Sequence, residues 1–117
     1  ILIIATGSMV EEILKVESSL KELNPTIVAA PFINPLDKEF LLVEVPKYEK
    51  VFTVEEGIIK SGFGTSVLEF LNDNDINKKV KRIGLAHDFI EHGTRDELLA
   101  EYGLRGESLV KTILEGR

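Results

Sequence analysis

"VFTVEEGIIKSGFGTSVLEFL" (Val51–Leu71) is the stretch whose reading decides the fold. Its opening apolar run, Val51–Val54, has the β-branched and aromatic content of a strand. Glu55 and Glu56 follow, then three glycines, Gly57, Gly62 and Gly64, then a helical pattern from about Thr65 to Leu71. A strand that passes directly into a helix is the repeating unit of an α/β sheet. The passage between them admits three readings: a phosphate cradle, a catalytic acid pair, or a turn from strand to helix.

The same unit recurs on both sides. Apolar runs predict strands at Leu2–Ala5, Thr26–Ala30, Lys50–Val54 and Val80–Leu85. The first two are continuously apolar, as strands covered on both faces are. Ser8-Met9-Val10-Glu11 has the form of a capping box and predicts a helix with Val10, Ile13, Leu14 and Leu20 inward, ended by Asn24-Pro25. Asp37 is a good N-cap for a second helix that buries Phe40, Leu41 and Val45 and stops at Pro46. Thr94-Arg95-Asp96-Glu97 is another capping box, closed by Gly103, and Leu109, Val110, Ile113 and Leu114 form one face of a last helix. Strands alternating with helices require right-handed crossovers. The expected architecture is a three-layer α/β/α domain spanning residues 1–117, with a parallel four-stranded sheet in the order 2-1-3-4. That order puts the fourth strand at an edge, where Lys81 and Arg82 guard it. The wider cluster from Asn77 to Arg82 reads as solvated edge protection.

The phosphate readings of the central stretch fail on chemistry. Gly57 and Gly62 have P-loop spacing, but Phe63 and Gly64 stand where Lys and Ser or Thr are needed to reach phosphates and Mg²⁺. Gly62-Phe63-Gly64 begins a dinucleotide fingerprint, but Val67 occupies the place of the third glycine. A turn needing positive φ and close backbone approach remains. Glu55 and Glu56 are adjacent at a strand end and point in opposite directions, so they do not readily face one substrate. With strand order 2-1-3-4 the switch point lies between strands 1 and 3, where open α/β sheets bind ligands. Thr6-Gly7-Ser8 and Glu55-Glu56-Gly57 line that crevice. A carboxylate there can hold the backbone N–H groups of a facing helix start, which is a structural role. No catalytic, cofactor-binding or metal residue is assigned. His87 and His92 are five apart, about 140° around a helix, rather than the one turn of a zinc-protease pair.

Composition narrows the partners. The chain has 117 residues, 44% hydrophobic and 29% charged, with a net charge of −6. An acidic chain lacks the cationic footprint of nucleic-acid binding. With no cysteine it has neither disulfides nor thiolate metal sites, which points to a reducing, cytoplasmic compartment. Its longest nearly apolar run, Ile27 to Ile33, is too short to span a bilayer. The abrupt start, Ile1-Leu2-Ile3-Ile4-Ala5, is expected of a piece of a longer polypeptide.

Four segments in one order carry a family resemblance: "IATGSMVEEILK" (Ile4–Lys15), "PFINPLDKEFL" (Pro31–Leu41), the opening stretch, and "IGLAHDFIEHGTRDELLAEYGL" (Ile83–Leu104). Together they resemble the C-terminal domain of the transketolase family over nearly the whole chain. The Glu-Glu-Gly…Gly-Phe-Gly block is shared across that family. The Asp-Phe-Ile-Glu-His-Gly block, Asp88 to Gly93, is narrower and resembles the branch that joins pyruvate to glyceraldehyde 3-phosphate with loss of carbon dioxide. Transketolases proper and the beta-type subunits of 2-oxoacid dehydrogenases are the neighbouring alternatives. The resemblance implies a parent enzyme using thiamine diphosphate and magnesium, held by other domains. This domain would serve architecture and contacts within a homodimer. The family's Gly-Asp-Gly…Asn-Asn cofactor signature is absent, so no catalytic residue carries over. Ala86-His87 replaces a frequent Pro-Asp, Ser61-Gly62 replaces a usual glycine pair, and the family's N-terminal edge strand has no counterpart ahead of Ile1. A free-standing ligand-binding or regulatory α/β domain is the reading from another class.

Overall fold

The computed structural model describes residues 1–30, 37–58, 62–85, 99, 101 and 103–116. Strand β1 (Leu2–Thr6) leads into helix α1 (Met9–Lys15) and a 3-10 turn (Glu17–Leu23), then β2 (Thr26–Ala30). Helix α2 (Lys38–Glu44) and a 3-10 turn (Val45–Lys47) precede β3 (Lys50–Ile58). Helix α3 (Phe63–Asp73), β4 (Lys79–Leu85) and α4 (Gly106–Gly116) complete the described elements. The sheet order is β2-β1-β3-β4 and every pairing is parallel. Fold class and strand order agree with the sequence reading.

Alternation along the strands divides the core in two. Ile3, Ala5, Phe52, Val54, Ile83 and Leu85 point to one face and pack with Met9 and Ile13 of α1 and Leu109 and Ile113 of α4. Leu2, Ile4 and Val51 point to the other and pack with Leu41 of α2 and Phe63, Val67 and Leu71 of α3. All five residues of β1 are buried, as a central strand covered on both faces must be. Fully burying each such aliphatic side chain contributes about 1.5–3 kcal/mol.

Helix starts and faces differ in instructive ways. Asp37 caps α2 as expected, its carboxylate accepting the Phe40 N–H at 3.0 Å. Leu41 and Val45 are buried and Phe40 is half-buried. The Ser8 capping box does not form. Ser8 itself adopts helical dihedrals (φ −63°, ψ −18°) and makes no side-chain bond to α1. Gly7, at φ +54°, has already turned the chain, and a tertiary acceptor takes the hydroxyl. The inward face of α1 is Met9, Glu12 and Ile13, while Leu14 is 53% exposed. Glu12 is tolerated inside because Arg105 reaches it at 3.2 Å and Lys15 at 3.5 Å. After Lys15 the helix tightens, buries Leu20, and ends at Asn24 in the left-handed conformation (φ 47°). Helix α3 begins two residues before the expected Thr65. In α4, Leu109 and Ile113 are buried, with Val110 and Leu114 packed beside them. The Thr94 capping box and His87–His92 lie outside the described residues; Gly103 is described, at φ +78°.

Candidate functional site: the carboxyl-end crevice

Strand β3 outruns its expected end at Val54 and continues to Ile58. Val54 pairs with Ile83, yet Ile58 pairs with Leu85, so β3 carries extra residues against β4 across Glu55, Glu56 and Gly57. A bulge of this kind bends the strand and re-aims side chains at a sheet end. It lies at the carboxyl end of β3, beside the end of β1, at the switch point.

The two glutamates part to opposite sides. Glu55, 4% exposed, shares the face of Val51 and Thr53 and reaches the start of α3. Its Oε1 accepts the Phe63 N–H at 3.0 Å and its Oε2 the Gly64 N–H at 2.6 Å. Gly62, the helix's own N-cap, offers no side chain, so a carboxylate eight residues upstream satisfies the first two orphan donors and complements the helix dipole. Burial pushes the Glu55 carboxyl up from its ordinary range. The N–H bonds from Gly64 and Phe63, and then the Arg82 charge, oppose that rise without cancelling it. Glu56 turns to the α1 side, where its Oε2 accepts the Ser8 hydroxyl. The structure thus brings together Ser8 and Glu56, but not Glu55 and Glu56. Thr6 is buried at the end of β1, Gly7 provides the turn, and Gly57 falls within the bulge.

Three further residues belong to this site: Gly64 and Arg82, which the sequence reading took for a turn glycine and an edge guard, and Thr53, which it did not single out. Gly64 lies in the helix, so its need is closeness rather than positive φ: a Cβ there would stand 2.3 Å from Thr53 Oγ1 and 3.2 Å from Glu55 Oε2. Thr53 is fully buried and its hydroxyl has no hydrogen-bond partner among the described residues. Arg82 is not mere edge protection. Its Nη1 donates to Thr65 Oγ1 at 2.7 Å in a half-buried setting, tying β4 to α3. Lys79 and Lys81 do stand exposed on the edge strand. A missing side chain at the N-cap, Gly62, is the one sequence signal that an outside group must cap α3.

Among the described residues no group of three His, Cys, Asp or Glu is placed to hold a metal ion. None of the described helices is long and apolar enough to cross a membrane. The arrangement can lock a strand end to a helix start; among the described residues there it presents no paired acid and base.

The fold and crevice define a doubly wound α/β domain in which both glutamates at the switch point are engaged by the chain's own groups. Residues 1–109 match the transketolase C-terminal domain, and the chain belongs to that family. It is 44% identical over 116 residues to 1-deoxy-D-xylulose-5-phosphate synthase of Fusobacterium nucleatum, covering 97% of this chain and 19% of that protein. The same enzyme of Clostridium tetani is 40% identical over 115 residues, with the same coverage. Among solved structures, a split-gene transketolase described as an inactive beta4 tetramer superposes with a TM-score of 0.82 at 26% identity, over 98% of this chain and 37% of that one. The chain therefore spans about a fifth of the length of the curated relatives it matches.

Proposed function

We propose that this chain is the non-catalytic C-terminal domain of a 1-deoxy-D-xylulose-5-phosphate synthase. The parent joins pyruvate to glyceraldehyde 3-phosphate with loss of carbon dioxide, at the head of isoprenoid precursor synthesis in the cytoplasm. Thiamine diphosphate and Mg²⁺ sit in its other domains, and this domain supports the architecture and the contacts of a homodimer. The observation that carries the reading is the use of Glu55. The crevice where an α/β sheet would take a ligand is occupied by a carboxylate already bonded to the N–H groups of Phe63 and Gly64. The identity to two synthases over 97% of the chain supports this choice of branch.

The described residues do not fit thiamine diphosphate. The α3 N-terminus, the natural seat for a diphosphate, is filled by Glu55, whose charge repels one. No metal-holding cluster accompanies it among the described residues. We expect the 117-residue chain neither to bind thiamine diphosphate nor to turn over substrate. Titration calorimetry with thiamine diphosphate and Mg²⁺ checks this. Saturable micromolar binding would refute the non-catalytic reading.

A further inference from the structure

At the amino ends of β3 and β4, opposite the crevice, three lysines share one sheet face. Lys50 stands in register with Lys79, and Phe52 with Lys81. Sheet geometry puts the Lys50 and Lys79 Cα atoms about 5 Å apart and Lys81 roughly 6.5 Å further along β4. Lys50 is only 9% exposed, and its Nζ lies 5.3 Å from the centre of the Phe52 ring. Cations directly opposite one another on a sheet repel. The ion pairs among the described residues are Lys15–Glu12, Lys47–Glu44, Arg105–Glu12 and Lys111–Glu115, so none of the described carboxylates answers any of the three. Burial, and then Lys79 and Lys81, hold the Lys50 ammonium below its ordinary value. The last turn of α4 approaches closely: a Cβ at Gly116 would be 3.1 Å from Phe52 Cε1 and 3.2 Å from Lys81 Cγ. A helix C-terminus offers roughly half a negative charge, too little by itself to balance three lysines.

We propose that Lys50, Lys79 and Lys81, floored by Phe52 and flanked by the end of α4, form a binding site for a phosphate group. A phosphate dianion is compact and presents enough oxygens to accept a charge-assisted bond from each ammonium. A lone carboxylate carries one negative charge where the dianion carries nearly two, and so offsets less of the charge of three lysines. The site lies away from the crevice and is independent of the function proposed above. Its ligand is a free phosphate or the phosphate of a small ester.

The test is titration of the ¹⁵N-labelled 117-residue chain with inorganic phosphate and, separately, with glycerol phosphate, at ionic strength held constant with chloride. Saturable shifts centred on the amides of Lys50, Phe52, Lys79 and Lys81 are expected for one or both. Saturation by inorganic phosphate identifies a free-anion site; saturation by glycerol phosphate alone identifies an ester site. Lys79→Gln/Lys81→Gln changes only exposed side chains and should keep the fold while weakening binding by about tenfold or more. Shifts that stay linear, shifts that chloride reproduces, shifts centred on Ser8 and Glu56, or binding unchanged in the double variant would overturn the proposal.

Discussion

Glu55 and Glu56 are neighbours of the same residue type, and their surroundings give them different weight. Glu55 is buried and answers two helix N–H groups. Glu55→Ala leaves both donors buried and unpaired, and should lower the unfolding free energy at neutral pH by about 1–3 kcal/mol. Glu56→Gln keeps an amide oxygen for the Ser8 hydroxyl and should cost under about 1 kcal/mol. Urea unfolding of the two variants separates them; equal losses would contradict the assigned roles. Glu55 also sets a pH dependence. Its folded value is raised above the ordinary 4.5, so between the two values the folded state binds more protons than the unfolded one. Its contribution is therefore full below about pH 4.5 and declines as pH rises through the raised value. The stability gap between the wild type and Glu55→Ala should narrow over that rise, and a gap that widens would reverse the sign.

The contact between β3 and α3 sets how closely a strand and a helix can lie. Gly64 permits it because a Cβ would stand 2.3 Å from Thr53 Oγ1 on a fully buried side chain. Gly64→Ala should destabilise the chain by about 1–3 kcal/mol despite alanine's better helix propensity. Thr53→Ala removes the obstructing hydroxyl, so the double variant should recover much of the loss. Strictly additive losses in this cycle, read by thermal unfolding, would show that the clash is not the cause. At the same contact Arg82 donates to Thr65, so α3 is tied to both β3 and β4.

Across the whole sheet, the two outer strands are unequally protected. β4 places exposed Lys79 and Lys81 at its edge. β2 is the other outer strand, and Thr26-Ile27-Val28-Ala29-Ala30 has no charge. Uncharged, β-branched edges offer unpaired backbone groups to another chain. The 117-residue chain should associate in a concentration-dependent way through β2. Ala29, the exposed choice over half-buried Val28, is the place for a lysine. Light scattering across a concentration series should show less association for Ala29→Lys than for the wild type. Equal association in both would assign the contact elsewhere.

The sequence by itself determined where the strands lie, their parallel order and the starts of α1 and α2, because those depend on local period, on caps such as Asp37, and on the handedness of crossovers. It also placed Thr6-Gly7-Ser8 and Glu55-Glu56-Gly57 at one sheet end and anticipated that a carboxylate there can cap a facing helix. Tertiary structure alone decided which glutamate does so, because the bulge at Glu55–Gly57 depends on pairing with β4. It decided that Ser8 serves Glu56 rather than α1: its hydroxyl donates to a distant carboxylate instead of accepting a local helix N–H. It put Glu12 on the inner face of α1, where Arg105, remote in sequence, answers its charge. Period and propensity act over one or two turns of chain, whereas a buried polar group is satisfied by whatever packing brings within about 3 Å.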